Sequence, residues 1–189
     1  MKKGIYITLF FLMLAFKLLA QKERVYGIFR TAEDFIEGKP NFEIDCRQTR
    51  TKIKLNDFFE KPYLTVKDND SSYNFYKRDI YGYLTCSNEV YRFQNKKELL
   101  LLNKPEQIFI YEYSIKPREG KTNATNYYFS LGAKGIIQKL TTKKLKAAFP
   151  LNKNFQLLIE KSFRYNTELA SFDDEHKMYR INFLLQECQ

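Results

Sequence analysis

The chain holds one histidine, His176, and that count removes several kinds of chemistry. A zinc site built on two or three imidazoles is out of reach, and no Cys-x-x-Cys pair replaces them. A Ser-His-Asp triad would have to use His176 with Asp173 or Asp174 as its orienting carboxylate. No Gly-x-Ser-x-Gly elbow supplies its nucleophile. A histidine at a helix start beside acidic residues reads instead as a surface ion-pair member. Gly120-Lys121-Thr122 has the ending of a phosphate-binding loop, but Ile115 stands where that motif needs its first glycine. Gly132-Ala133-Lys134-Gly135 is turn chemistry between two strand-like segments.

Carboxylate pairs can cleave glycosides, and three pairs are adjacent or nearly so: Glu33 with Asp34, Asp68 with Asp70, and Asp173 with Asp174. All lie in polar turns or first helical turns, where carboxylates serve as caps and solvated charge. The Asp68-Asn69-Asp70 turn has part of a calcium loop, but it lacks the glycine, and Asp79 replaces the terminal glutamate. The expectation is a protein with no metal, no cofactor and no assigned catalytic residue. Two binding candidates remain. Tyr81, Tyr83, Tyr91, Phe93, Tyr111 and Tyr113 alternate in strand-like segments, which would present aromatics in rows on a sheet face. Plain core packing, with hydroxyls at the rim, explains the same pattern. Lys139, Lys143, Lys144 and Lys146 gather around a short helix, where they could meet phosphate groups or form a solvated face.

These residues need elements to hold them. Thr31-Ala32-Glu33-Asp34 places a capping hydroxyl before two carboxylates, and Gly38 with Pro40 ends a helix of one or two turns. Strand-like runs follow at Phe42–Arg47, Thr51–Leu55, Tyr63–Lys67, Asn74–Arg78, Tyr81–Cys86, Val90–Phe93, Glu98–Leu102 and Gln107–Ile115. Ile108 and Ile110 oppose Phe109, Tyr111 and Tyr113, so the last of these runs is covered on both faces. Pro117–Thr125 reads as a charged loop, and Tyr127–Leu131 with Ile136–Leu140 reads as a hairpin. The apolar period then changes to that of helices. Thr141 or Thr142 caps the first, with Leu145, Ala148 and Phe149 on one face. Asn154 caps the second, with Leu157, Leu158 and Phe163 inward. Asp173 or Asp174 caps the third, with Met178, Ile181, Leu184 and Leu185 inward. Strands followed by helices predict an α+β fold with a mainly antiparallel sheet in one domain, residues 21–189. Its β-rich part spans 21–140 and its helical part 141–189.

The first twenty residues read as a secretory signal peptide: Lys2 and Lys3, an apolar run from Ile5 to Phe16, and Ala20 before Gln21. A retained anchor is the alternative, with Leu18 and Leu19 extending the run past Lys17. No later segment is long and apolar enough to span a bilayer. Removal of residues 1–20 leaves 169 residues and lowers the formal charge from +10 to +7. Such a basic exported chain favours anionic surfaces, although the charge also serves solubility. No nucleic-acid module is recognisable. Three cysteines leave one odd. Cys46 continues the spacing of Phe42 and Ile44, and Cys86 that of Ile80, Gly82 and Leu84, so both should point inward. They could form a bridge across 40 residues or pack as buried thiols. Cys188 lies at the chain end.

Gly27-Ile28-Phe29-Arg30-Thr31-Ala32-Glu33-Asp34-Phe35, Arg78-Asp79-Ile80-Tyr81-Gly82-Tyr83 and His176-Lys177-Met178-Tyr179-Arg180-Ile181-Asn182 resemble segments of an uncharacterised family of exported Bacteroidota proteins with no assigned function. The Ala20–Gln21 junction resembles signal cleavage sites in that phylum. The resemblance implies export from a Gram-negative cell, to the periplasm or beyond, and implies no activity. The sequence therefore leads to an exported, non-enzymatic binding or interaction module that contacts a protein or glycan at the cell envelope. Its rivals are a small carboxylate-dependent, glycosidase-like hydrolase and an envelope accessory protein without a small ligand.

Overall fold

A computed structural model describes residues 26–47, 52–54, 61–68, 70–95, 97–103, 106–115 and 124–189. The expected leader at 1–20, Asn69 of the calcium-like turn, and residues 116–123 of the charged loop lie outside the described residues. Strands β1 (Tyr26–Phe29) and β2 (Phe42–Ile44) flank helix α1 (Ala32–Glu37). Strands β3 (Lys52–Lys54), β4 (Tyr63–Asp68) and β5 (Ser71–Tyr76) form a separate antiparallel sheet. Then come β6 (Gly82–Leu84), β7 (Val90–Gln94), β8 (Lys97–Leu101), β9 (Ile108–Ile115), β10 (Ala124–Leu131) and β11 (Gln138–Lys139). These six run as a meander, and the main sheet has the order β11-β10-β9-β8-β7-β6-β1-β2, antiparallel throughout. Helices α2 (Thr142–Ala148) and α3 (Lys153–Ser162), a 3₁₀ turn at Asn166–Ala170, a hairpin of β12 (Phe172–Asp173) and β13 (Met178–Tyr179), and helix α4 (Arg180–Gln186) complete the chain. The fold is α+β, a mostly antiparallel sheet with most of its helices at the C-terminal end.

Local chemistry explains α1. The Thr31 hydroxyl accepts from the Asp34 amide, and the Asp34 carboxylate accepts from the Thr31 amide. This reciprocal box satisfies two of the donors a helix start leaves open. Gly38 ends the helix at φ +68°, a left-handed conformation that costs glycine little. Phe35 is the buried residue of the helix and packs edge-on against Phe29 of β1, ring centres 5.6 Å apart.

The main sheet is packed on both faces. On one face, Ile28, Ile44 and Tyr83 meet Leu64 and Val66 of the small sheet. Farther along the same face, Ile108, Ile110 and Phe129 meet Leu145, Phe155, Ile159 and Leu185 of the helices. The opposite face gathers Phe29, Val90, Leu99, Phe109, Tyr111 and Tyr128 beneath Phe35 and the β10–β11 hairpin. A flat sheet would hold β6 and β10 about 19 Å apart, four spacings of about 4.8 Å. Yet the Tyr81 hydroxyl, next to β6, donates to the Ala133 carbonyl beyond β10 at 3.0 Å. The Gln94 amide of β7 likewise donates to the Ile137 carbonyl at 2.7 Å. The sheet therefore curls, and this second face is its concave side.

Three expectations need correction. Asn152, not Asn154, caps α3 by accepting from the Phe155 amide. Phe155 and Ile159 face inward, and Leu157 is exposed. Asp173 starts no helix. Its carboxylate accepts from the Glu175 and His176 amides inside the turn between β12 and β13, and Lys177 closes that turn at φ +54°. Met178 is thereby in a strand, and α4 begins only at Arg180. Both cysteines of the expected pair are exposed, since β2 ends at Ile44 and β6 at Leu84. They are bridged, with Cα atoms 5.6 Å apart. The bridge ties together the two strands that flank β1.

Candidate functional site

The six alternating aromatics do not share a face. Cross-strand pairing sets Tyr83 opposite Tyr91, and Phe93 opposite Glu98, on the side covered by the small sheet. Tyr111 and Tyr113 belong to the concave side, together with Tyr81. Tyr81 and Tyr83 would share a face in an unbroken strand. However, the Tyr81 amide is shared between the carbonyls of Phe29 and Arg30, at 2.9 and 3.0 Å. This irregularity just ahead of β6 turns its ring to the other side. Tyr83 and Tyr111 are buried, and the other four are half-buried.

On the concave side the rings hold cations. The Arg92 guanidinium lies 4.3 Å from the Tyr81 ring centre, and Phe35 stacks on that ring at 5.1 Å. Arg92 Nη1 donates to the Tyr111 hydroxyl at 2.7 Å and makes a longer bond to Ser130 Oγ at 3.4 Å. Lys97 Nζ donates to the Tyr128 hydroxyl at 3.1 Å and lies 5.4 Å from the Tyr113 ring centre. Burial raises the Tyr81 and Tyr111 hydroxyl pKa values, and the Arg92 charge partly offsets this. Gly82 stands opposite Arg92, where a Cβ would lie 2.1 Å from the Tyr91 carbonyl oxygen, so the strands approach this closely only with glycine there.

The other face carries carboxylates and the buried Lys77, whose Nζ lies 5.6 Å from the Phe93 ring centre. Tyr83 stacks on Tyr91 at 5.1 Å, and its hydroxyl donates to Glu98. The Tyr91 hydroxyl is pushed up to about 12, first by burial and then by the charges of Glu89 and Glu98. Glu112 also faces this side, opposite Leu100. Glu98 and Glu112 were not among the carboxylate pairs expected from the sequence, nor was Arg92 singled out. The available signal was a lone charge inside each of three otherwise apolar runs.

The outer surface of the small sheet is basic and aromatic. Leu64 and Val66 point inward with no exposure, so the alternate positions Tyr63, Thr65 and Lys67 point outward. Pairing sets Tyr63 opposite Tyr76, Thr65 opposite Asn74 and Lys54, and Lys67 opposite Ser72. Tyr63 and Tyr76 meet edge to face at 6.1 Å, and the Arg78 guanidinium lies 5.6 Å from the Tyr76 ring centre. Tyr76 is 48% exposed. Among the described residues no carboxylate occupies an outward position of these strands, and just past β5 Asp79 pairs with Arg78 at 3.4 Å. A hollow of about 290 Å³ adjoins the surface, lined by Arg30, Asn74, Phe75, Tyr76, Asp79 and Ile80.

The lysine cluster is divided. Lys143 and Lys144 are exposed on α2, and Lys139 is exposed on β11. Lys146 instead pairs with Glu160 of α3 and so ties the two helices. His176 stacks on Phe183 at 3.8 Å, and its Nδ1 lies 3.0 Å from Asp173 Oδ2. Backbone hydrogen bonding from His176 is the first cause that holds the Asp173 carboxyl below its usual range. Among the described residues no group of three or more His, Cys, Asp or Glu side chains could hold a metal ion, and no helix is long and apolar enough to cross a membrane. No family model, curated protein or solved structure matches this chain.

Proposed function

We propose that this chain is an exported, non-enzymatic binding module that contacts a protein or glycan at the cell envelope. The observation that carries the reading is the outer surface of β3–β5, where Tyr63 and Tyr76 sit beside Lys54 and Lys67 and, among the described residues, these strands carry no outward carboxylate; Arg78 at the edge is paired with Asp79. Tyrosine rings offer flat apolar area with a polar tip, and neighbouring cations favour an anionic partner. The leader-like start supports export, as does the Cys46–Cys86 bridge, because disulfides persist in oxidising compartments. The test is calorimetric titration of the exported protein with purified envelope polysaccharides, alongside Tyr76→Ala and Lys67→Glu variants. Both residues are exposed, so the variants should fold. Saturable binding that each substitution weakens by about fivefold or more is expected, the scale of an interface anchor. Absence of wild-type binding, to polysaccharide and to detergent-extracted envelope proteins alike, would overturn the reading and leave an accessory role.

One observation favours a second reading. Glu98 and Glu112 are diagonal neighbours across β8 and β9, a relation that places carbons about 7–8 Å apart. Glutamates rooted at that spacing can hold their carboxyl groups within the about 6.5–9.5 Å that inverting glycosidases use. Release of reducing sugar from any of the same polysaccharides, abolished by Glu98→Gln or Glu112→Gln, would establish a hydrolase in place of a binding module.

A further inference from the structure

We infer that the concave side of the main sheet holds an oxyanion-binding site, in which Arg92 grips a ligand that presents two oxygens in one plane, a carboxylate or a phosphate. This goes beyond the outer surface of the small sheet and uses different residues. Arg92 and Lys97 face the same side as diagonal neighbours across β7 and β8, about 7–8 Å apart. Among the described residues neither has a carboxylate partner, and like charges at this spacing repel. Among the described residues, every hydrogen bond that holds the guanidinium falls on Nη1, through Tyr111 and Ser130. Nε is buried and donates to nothing, and Nη2 donates to no described residue. Those two nitrogens form one edge of the guanidinium fork, with parallel N–H bonds suited to bidentate contact with an oxyanion.

The fork is also fixed in place. The guanidinium carbon lies over the Tyr81 ring at 4.3 Å, and Phe35 stacks on Tyr81. Such fixing lowers the rotamer entropy that a long side chain loses on binding. An orphaned buried donor on a charged group is costly, and a bound oxyanion would relieve that cost together with the Arg92–Lys97 repulsion. Lys97 is exposed and Arg92 is half-buried, so the cation pair as a whole is in reach of solvent.

The experiment follows the Arg92 Nε–H resonance in isotope-labelled full chain during titration at low salt with sodium galacturonate, inorganic phosphate, neutral galactose or chloride. Galacturonate or phosphate, or both, should move the resonance saturably. Comparison of the two arms identifies the preferred oxyanion. Galactose and chloride should leave it in place. Lys97→Ala, at an exposed position that should not disturb folding, should weaken binding about fivefold. Arg92→Lys keeps the charge without the fork; followed through the backbone amides of β7 and β8, which report on both proteins, it should lose the saturable shifts that wild type shows. A resonance that neither oxyanion moves would mean that the buried Nε edge stays closed to ligands, and would overturn the inference. So would equal shifts with chloride, the behaviour of an adventitious ion only, or unchanged affinity in Lys97→Ala.

Discussion

Asn182 should be one of the most costly polar positions to alter in this chain. It is 2% exposed on α4, and its side chain brackets one residue of β9. Oδ1 accepts from the Ile108 amide at 2.8 Å, and Nδ2 donates to the Ile108 carbonyl at 2.9 Å. Asn103 meets the same carbonyl at 2.8 Å and accepts from the Ile110 amide at 2.7 Å. In Asn182→Ala the Ile108 amide is left buried without an acceptor, at a cost of about 1–3 kcal/mol. The Ile108 carbonyl keeps Asn103 and loses one bond, worth about 0.5–1.5 kcal/mol. The sum is about 1.5–4.5 kcal/mol, which for a domain of this size lowers Tm by about 3–18 °C. Urea and thermal unfolding followed by circular dichroism, with the disulfide intact, measure both quantities. Asn182→Asp sharpens the test. It keeps an acceptor for the amide but turns a second oxygen toward the Ile108 carbonyl, so its carboxyl should be held protonated, with a folded pKa above the unfolded value. The stability that this carboxyl contributes is then fully present below the unfolded pKa and lost as pH rises through the folded one. The variant should approach wild type in mild acid and fall away toward neutrality. A loss below about 1 kcal/mol in Asn182→Ala, or a pH-independent deficit in Asn182→Asp, would refute the reasoning, since water would then be replacing the side chain.

Two further outcomes test other parts of the fold. Reduction of the Cys46–Cys86 bridge, or its replacement by two serines, opens a loop of sequence separation 40 and should lower stability by about 2–4 kcal/mol, seen as an earlier melt in reductant. The Asp34 carboxyl is held below its usual range, first by its bond from Thr31, so its contribution is present above the unfolded carboxylate pKa and lost as pH falls through the folded one. Asp34→Asn should flatten that part of the acid stability profile, and an unchanged profile would remove Asp34 from the acid response.

Several features were legible in the sequence because their causes are local. The box at Thr31 and Asp34 depends on residues three apart, and the stop at Gly38 on one backbone conformation. Strand β9 reads as doubly covered because Ile108, Phe109, Ile110 and Tyr111 are apolar on both sides of the alternation, and all four are buried. The order of strands before helices was enough to give an α+β architecture. The expectation for α3 missed the cap by two residues because Asn152 and Asn154 are both competent caps. Packing of Phe155 and Ile159 against the sheet, rather than cap chemistry, decides between them.

Tertiary structure decided the rest. Asp173-Asp174 looks like a helix start, yet the pairing of Phe172 with Tyr179 and of Asp173 with Met178 makes it a hairpin turn. Alternation alone would put Tyr81 and Tyr83 on one face, and a shared amide bond to Phe29 and Arg30, more than fifty positions back along the chain, separates them. The polarity of the two aromatic groups is equally non-local. Arg92, Lys97, Glu98 and Glu112 come from three strands, and only the register of β7, β8 and β9 sets the first two on the concave side and the last two on the other. The sequence alone determined which residues could fold locally and which runs must be buried. Which charges face one another depends on register and on the curl of the sheet, and these follow from long-range contacts that no short stretch of sequence contains.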